Sequence, residues 1–70
     1  MRIYQVNEGP INSNDIEDYE GSPDCWVVYA LVEQPNGALT EEPLEFFDFN
    51  LAISLVNHFK EQISYYSIED

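Results

Sequence analysis

The chain has 70 residues, of which fourteen are Asp or Glu and only two are Lys or Arg, so its formal net charge is −12 and its pI is near 4.1. Apolar residues make up 44% of the sequence and aromatic residues 14%, which is enough to build a core and excludes a disordered acidic tail. The length predicts one domain, 1–70, and the two cations, Arg2 and Lys60, are too few for direct binding to nucleic acid or to an anionic membrane.

The chain begins with a short predicted strand at residues 3–6. A long loop is predicted at residues 7–24, because glycine and proline recur there and few apolar residues can anchor it. One helical turn is expected around residues 16–19, capped by Ser13 or Asn14. Loops of this length in a compact domain are usually functional or mobile, and this one carries six acids, five of them within residues 15–24.

The next segment, residues 25–33, is rich in β-branched and aromatic residues, which predicts a strand. Both of its faces are apolar, so we expect it to lie at the centre of a sheet. One face carries Trp26, Val28, Ala30 and Val32, and the other carries Val27, Tyr29 and Leu31.

A hairpin turn is predicted at residues 34–37, since Pro35 favours the first central position of a type I turn and Gly37 tolerates the positive φ that closes the hairpin. The return strand, at about residues 38–47, contains Pro43. Because proline cannot donate a ladder hydrogen bond, this predicts an edge strand or a bulge.

From Asp48 the apolar spacing changes to i, i+3, i+4, i+7, which predicts an amphipathic helix with Asp48 or Asn50 as its N-cap. Its apolar side is predicted to consist of Leu51, Ala52, Leu55, Val56, Phe59 and Ile63. Residues 65–68 can add a last short strand. The predicted fold class is therefore α+β, in the order β-loop-β-β-α-β: an antiparallel sheet of three to four strands with one C-terminal amphipathic helix on one face.

One helix covers only one face of such a sheet, so something else must cover the apolar residues of the other face. We expect the uncovered face to bear some of Val27, Tyr29 and Leu31. A monomer would hide this apolar patch, which therefore suits either a homodimer or a partner protein.

Nine acids are concentrated in two short stretches, residues 15–24 and 41–48. The net charge exceeds the roughly 2–8 charges that keep a small domain soluble, and its self-repulsion destabilises the fold. We therefore predict a partner-binding acidic surface made of Asp15, Glu17, Asp18, Glu20, Asp24, Glu41, Glu42, Glu45 and Asp48. The alternative is that these acids only solubilise the protein and protect the edge strand from unwanted pairing.

The residues that could take part in catalysis lack the arrangement that an enzyme needs. Cys25 and His58 could form a nucleophile and base pair, but nothing marks an oxyanion hole, and a Cys that opens a buried strand is usually a small hydrophobe. A general acid needs a buried carboxylate, for which 70 residues leave little volume.

Residues 12–18 alternate oxygen side chains but break the EF-hand spacing, since Ile16 and Glu17 occupy the fifth and sixth positions. We expect no cofactor and no dedicated metal site, with an adventitious divalent site in this loop as the open alternative.

In size, charge and aromatic content the chain resembles the small acidic inhibitors made by phages and mobile elements, which occupy nucleic-acid-binding sites of host enzymes. The resemblance is one of type, and no motif of a named family is matched. Fourteen acids equal the charge on about 24 Å of duplex DNA, a span comparable with this domain.

The sequence thus predicts a small acidic protein-binding protein that inhibits or regulates a partner by occupying its basic, nucleic-acid-binding surface. The predicted aromatic anchors of that contact are Tyr19, Phe46 and Phe47. The alternative is a non-inhibitory interaction module or a homodimer that associates through the uncovered sheet face. We expect a cytoplasmic protein, because polar residues follow the first six positions at once and no run is long enough to span a bilayer.

Overall fold

Three strands and one helix make up the fold in a computed structural model, which describes residues 2–69 and the side chains as far as Phe59. The strands β1 (Arg2–Asn12), β2 (Trp26–Glu33) and β3 (Leu39–Phe46) form an antiparallel sheet in the order β1-β2-β3. The C-terminal helix α1 spans Phe49–Glu69. These elements confirm the predicted α+β fold in its three-stranded form.

The central strand β2 buries one face under α1, which we call the helix face. Val28, Ala30 and Val32 have no solvent-accessible surface, as expected for the core of a small sheet. At the end of this face the rings of Trp26 and Phe49 meet edge to face, with their centroids 4.7 Å apart. The helix therefore packs on the side of β2 that has the longer apolar run.

The opposite face of the sheet, which we call the loop face, carries Val27, Tyr29 and Leu31. Their partners on β3 are Glu45, Pro43 and Glu41 respectively, and antiparallel partners point to the same face. Tyr29 and Leu31 are half-buried, but Val27 is fully buried. The sequence predicted that some of these three residues would form the uncovered patch, and the burial of Val27 leaves Tyr29 and Leu31 as its candidates.

The hairpin between β2 and β3 forms as predicted. The Gly37 amide donates to the Gln34 carbonyl at 2.8 Å, and the Gln34 amide donates to the Ala38 carbonyl at 2.8 Å. Gly37 has a φ of +87°, a left-handed conformation that glycine adopts without strain. These two hydrogen bonds close the hairpin between β2 and β3.

The first strand is longer than the sequence predicted, since it runs to Asn12 rather than ending at residue 6. Its pairing with β2 shifts register at three places, so the glycine and proline that suggested a loop are absorbed in bulges of an edge strand. Gly9 has a φ of +130°, and a Cβ there would lie 2.7 Å from the Val27 carbonyl oxygen. Close approach of the two backbones thus requires glycine at this position.

The loop is correspondingly shorter, residues 13–25, and its regular structure differs from the prediction. A 3-10 turn at Ser13–Asp15 replaces the turn expected at residues 16–19. Its cap is Asn12, whose side-chain oxygen accepts a hydrogen bond from the Asn14 amide at 2.9 Å. The cap lies one residue before the two predicted candidates because β1 extends to this residue.

The helix α1 begins after Asp48, whose Oδ1 accepts a hydrogen bond from the Asn50 amide at 2.9 Å, so Asp48 is the cap of the two candidates. Ala52 is fully buried, whereas Leu51, predicted to lie on the apolar side, is 61% exposed. The strand proposed at residues 65–68 does not form, because α1 continues to Glu69 and no glycine or proline follows Pro43 to end it. The side chain of Ile63 lies outside the described residues.

Candidate protein-binding surface

The acidic loop, which we define as residues 13–25, is closed at its base by two pairs of residues. The Ser13 amide donates to the Cys25 carbonyl at 2.8 Å, and the Cys25 amide donates to Ser13 Oγ at 3.1 Å. Above them, Asn14 Nδ2 donates to Asp24 Oδ1 at 2.7 Å. The two ends of the loop are therefore held together, as in an Ω-loop.

The far side of the acidic loop is pinned to β3 through a single carboxylate oxygen. Glu45 Oε2 accepts hydrogen bonds from the Tyr19 hydroxyl at 2.5 Å and from the Ser22 amide at 2.8 Å. Gly21 lies against this contact, and a Cβ there would overlap the Glu45 carboxylate and come within 2.6 Å of the Tyr19 ring. We call the Tyr19, Ser22 and Glu45 contact the loop pin.

The loop pin shifts the pKa of both ionisable partners. The hydrogen bond from Tyr19, followed by that from Ser22, holds the pKa of the Glu45 carboxyl below its ordinary value. Burial, together with the hydrogen bond to the Glu45 carboxylate, raises the pKa of the Tyr19 phenol. The pin is therefore a charge-assisted hydrogen bond in which Tyr19 keeps its proton and Glu45 stays ionised at neutral pH.

A groove of about 760 Å³ lies between the acidic loop and the loop face of the sheet. Apolar atoms of Ile16, Tyr29 and Pro43 contribute to its walls and floor. Four carboxylate residues also line it, three from the loop and one from β3: Glu17, Asp18, Glu20 and Glu45. The fold thus combines acids from both sequence stretches in one concave surface.

The remaining predicted acids are not all on this side. Glu41 pairs with Leu31 and so belongs to the loop face, where Asn7 Nδ2 donates to Glu41 Oε2 at 2.7 Å across the sheet. Glu42 pairs with Ala30 and belongs to the helix face, and Asp48 caps α1. Asp15 ends the 3-10 turn and Asp24 belongs to the base of the loop. We use the name acidic surface for five residues: Glu17, Asp18, Glu20, Glu41 and Glu45.

The three predicted aromatic anchors lie in different environments. Tyr19 is half-buried and held in the loop pin. Phe46 is half-buried and pairs with Trp26, which assigns it to the helix face, but it also contributes to the lining of the groove. Phe47 is 75% exposed in the bend between β3 and α1, close in sequence to the exposed Leu51. Of the three, only Phe47 has most of its surface free to contact a partner.

Sequence reasoning did not identify Asn7, Ser22, Gly21 or Pro43 as parts of this surface. Gly21 and Ser22 gave only a loop signal, and Pro43 was noted solely as a strand interrupter. Asn7 meets an acid 34 residues away, and no local pattern encodes such a contact. The periodicity of β3 could have placed Pro43 beside Glu41 and Glu45, since alternate residues of a strand share a face.

Cys25 and His58, the pair considered for catalysis, do not belong to the lining of the groove. Cys25 is buried, and its Sγ donates to the Ser22 carbonyl at 3.3 Å, so it behaves as a packed side chain. Within residues 2–59, no group of three or more His, Cys, Asp and Glu residues is arranged to hold a metal ion. The acids of the groove therefore do not form a metal-binding cluster within the described residues.

Comparison with protein-family models, with curated proteins and with solved structures gave no match in any of the three. The described part of the chain has no helix with the length and apolarity needed to cross a membrane. The fold and site define a small α+β protein with an acidic groove on one face of its sheet.

Proposed function

We propose that this protein binds another protein through its acidic surface and competes there with nucleic acid. The partner carries a basic surface that normally contacts phosphates, and the protein acts as an inhibitor or regulator by covering it. The observation that carries the proposal is the meeting of the acidic loop with β3, which puts Glu17, Asp18 and Glu20 on the same side as Glu45.

Charge on one side matters because phosphate contacts contribute much of the affinity of nucleic-acid-binding proteins. Lys and Arg side chains on such a surface are spaced to meet a row of negative charges. Five carboxylates on one side of a 70-residue protein concentrate negative charge there, and they would accelerate association by electrostatic steering. Charges spread evenly over the domain would do neither.

The loop pin supports the proposal because it fixes the position of the charges. A mobile acidic loop would lose conformational entropy on binding, and that loss would weaken the complex. Here the base of the loop is closed by Ser13 and Cys25, and its far side is bonded to Glu45. The carboxylates of the loop are thus pre-positioned beside the sheet.

A competition experiment tests the proposal. The immobilised protein is incubated with cell lysate at low salt, and bound proteins are then eluted with a duplex oligonucleotide or with an equal mass of neutral dextran. We expect nucleic-acid-binding proteins to elute with the duplex but not with dextran, and capture to fall steeply as salt is raised. Capture that is insensitive to salt and to the duplex would contradict the proposal.

Two double variants, each removing two charges, separate a local surface from bulk acidity. Glu17→Gln/Glu20→Gln removes two of the five charges of the acidic surface, whereas Glu42→Gln/Asp48→Asn removes the same charge elsewhere and keeps a capping side chain at position 48. We expect the first variant to lose most of the capture and the second to keep it. Equal losses would show that only the total charge matters.

Sedimentation of the pure protein addresses self-association. We expect the protein to be a monomer at micromolar concentration. A stable dimer that dissociates when Tyr29 is changed to Glu would instead identify the loop face as a homodimer interface.

A further inference from the structure

The loop face contains an apolar strip that nothing in the described chain covers. Tyr29 and Leu31 are half-buried and Pro43 is exposed, although all three lie on the face of the sheet opposite the helix. Tyr29 and Pro43 form part of the groove beside the acidic loop. The groove is open to solvent, and at about 760 Å³ it is large enough to admit a side chain or a short peptide segment.

We infer that this groove is the docking site for an arginine-bearing segment of the protein partner. The inference rests on the proposed function and adds to it the position and the chemistry of the contact. The aliphatic part of the arginine side chain would pack on Pro43 and Tyr29, and the guanidinium would lie among the groove carboxylates of Glu17, Asp18, Glu20 and Glu45.

Arginine fits this environment better than lysine for three physical reasons. Its planar guanidinium stacks on aromatic rings such as Tyr29, and it pairs with a carboxylate through two parallel hydrogen bonds. It is also less strongly hydrated than an ammonium group, so its burial beside apolar atoms costs less free energy. A groove with both an aromatic floor and acidic walls uses all three properties.

A second copy of this chain is a poor occupant of the same face. An isologous dimer through the loop face would bring Glu41 and Glu45 of one copy close to the equivalent acids of the other. Each chain carries a net charge of −12, with two cationic residues to offset it. Like charges held close together across an interface cost several kcal/mol, which opposes the dimer.

Two synthetic peptides of equal charge provide the test. Fluorescein-labelled (Gly-Arg)5 and (Gly-Lys)5 are titrated with the protein, and binding is followed by fluorescence anisotropy at a fixed salt concentration. We expect the arginine peptide to bind at least about tenfold more tightly than the lysine peptide. Equal affinities would overturn the inference, because simple charge attraction does not distinguish the two.

A variant that fills the groove without changing the charge locates the site. Pro43→Trp adds a large side chain on the floor, and an aromatic residue is favourable in a strand. We expect it to weaken binding of the arginine peptide at least about tenfold, whereas Asn57→Trp, on the exposed side of α1, leaves binding unchanged. Circular dichroism checks that each variant folds, and Tyr29→Leu, which removes only the aromatic plane, serves if Pro43→Trp does not.

The outcomes distinguish this inference from the proposed function. If Pro43→Trp or Tyr29→Leu binds as the wild type does while Glu17→Gln/Glu20→Gln binds weakly, the acidic surface operates but the groove does not, and the inference is wrong. If the charge variant also binds as the wild type does, the proposed function fails with it.

Discussion

At the scale of single residues, the loop pin is where the structure departs furthest from a solvated acidic surface. Glu45 lies on an exposed strand position, yet one of its oxygens accepts two hydrogen bonds from a loop more than 20 residues away in sequence. Glu45 therefore has a structural role as well. It belongs to the acidic surface and also holds the acidic loop, which carries Glu17, Asp18 and Glu20, against β3.

The pH dependence of stability tests this role of Glu45. Because folding lowers the pKa of this carboxyl, its contribution to stability is complete above the ordinary Glu pKa and is lost as the pH falls through the folded value. We therefore expect urea unfolding to show wild type more stable than Glu45→Gln at pH 7, with the difference shrinking below about pH 4.3. Neutralisation of the other acids changes the total stability of both proteins over the same pH range, so the difference between them is the quantity to measure. A difference that does not change with pH would contradict the charge-assisted contact.

A substitution at Gly21 provides a second test of the loop pin, because it changes the space available to the contact without changing any charge. An alanine Cβ would overlap the Glu45 carboxylate and press on the Tyr19 ring, so Gly21→Ala should break the contact without distorting the sheet. We expect an NMR titration of the variant to show the Glu45 pKa returning towards its ordinary value, and amides of the acidic loop to exchange faster with solvent. The control is Asn57→Ala, at an exposed position on α1 away from the loop pin, which should leave the pKa of Glu45 unchanged.

At the scale of secondary-structure elements, the start of α1 depends on one side chain. Asp48 accepts the hydrogen bond of the Asn50 amide, and its carbonyl accepts from the Leu51 and Ala52 amides at 3.2 and 3.3 Å. The first turn of the helix places Phe49 on Trp26 and buries Ala52 against the sheet. Loss of the cap would therefore disturb packing on the helix face as well as the helix end.

Substitution of Asp48 separates capping from charge. Asp48→Ala should lower the free energy of unfolding by about 0.5–2 kcal/mol, the usual cost of losing an N-cap, with a matching fall in the urea midpoint. Asp48→Asn removes the same charge but keeps a capping oxygen, so we expect it to be close to wild type. If both substitutions stabilise the protein equally, relief of charge repulsion outweighs the cap.

At the scale of the whole molecule, repulsion among fourteen acids is the main electrostatic cost of folding. The fold increases that cost by bringing Glu17, Asp18 and Glu20 beside Glu45. A surface that only needed to be soluble could spread the same charges apart. Binding of the proposed cationic partner would relieve this repulsion.

The salt dependence of stability measures that repulsion. The Debye length falls from about 10 Å at 0.1 M salt to about 3 Å at 1 M, so added NaCl should raise the melting temperature by several degrees, equivalent to roughly 1 kcal/mol. The Glu17→Gln/Glu20→Gln variant should melt at a higher temperature than wild type in low salt and respond less to NaCl. A melting temperature that falls as NaCl is added would contradict this reading of the charge.

The sequence by itself determined the features that a few neighbouring residues encode. The apolar faces of β2, the Pro35 and Gly37 turn and the Asp48 cap follow from strand alternation, turn chemistry and capping, which act over fewer than ten residues. The tertiary structure decided the extension of β1 through Gly9, the loop pin at Glu45 and the side of the sheet on which each acid lies. These depend on contacts between residues 10 to 26 positions apart, for which the local pattern of residues carries no signal. Net charge is a property of composition, but an acidic surface exists only once the chain has folded.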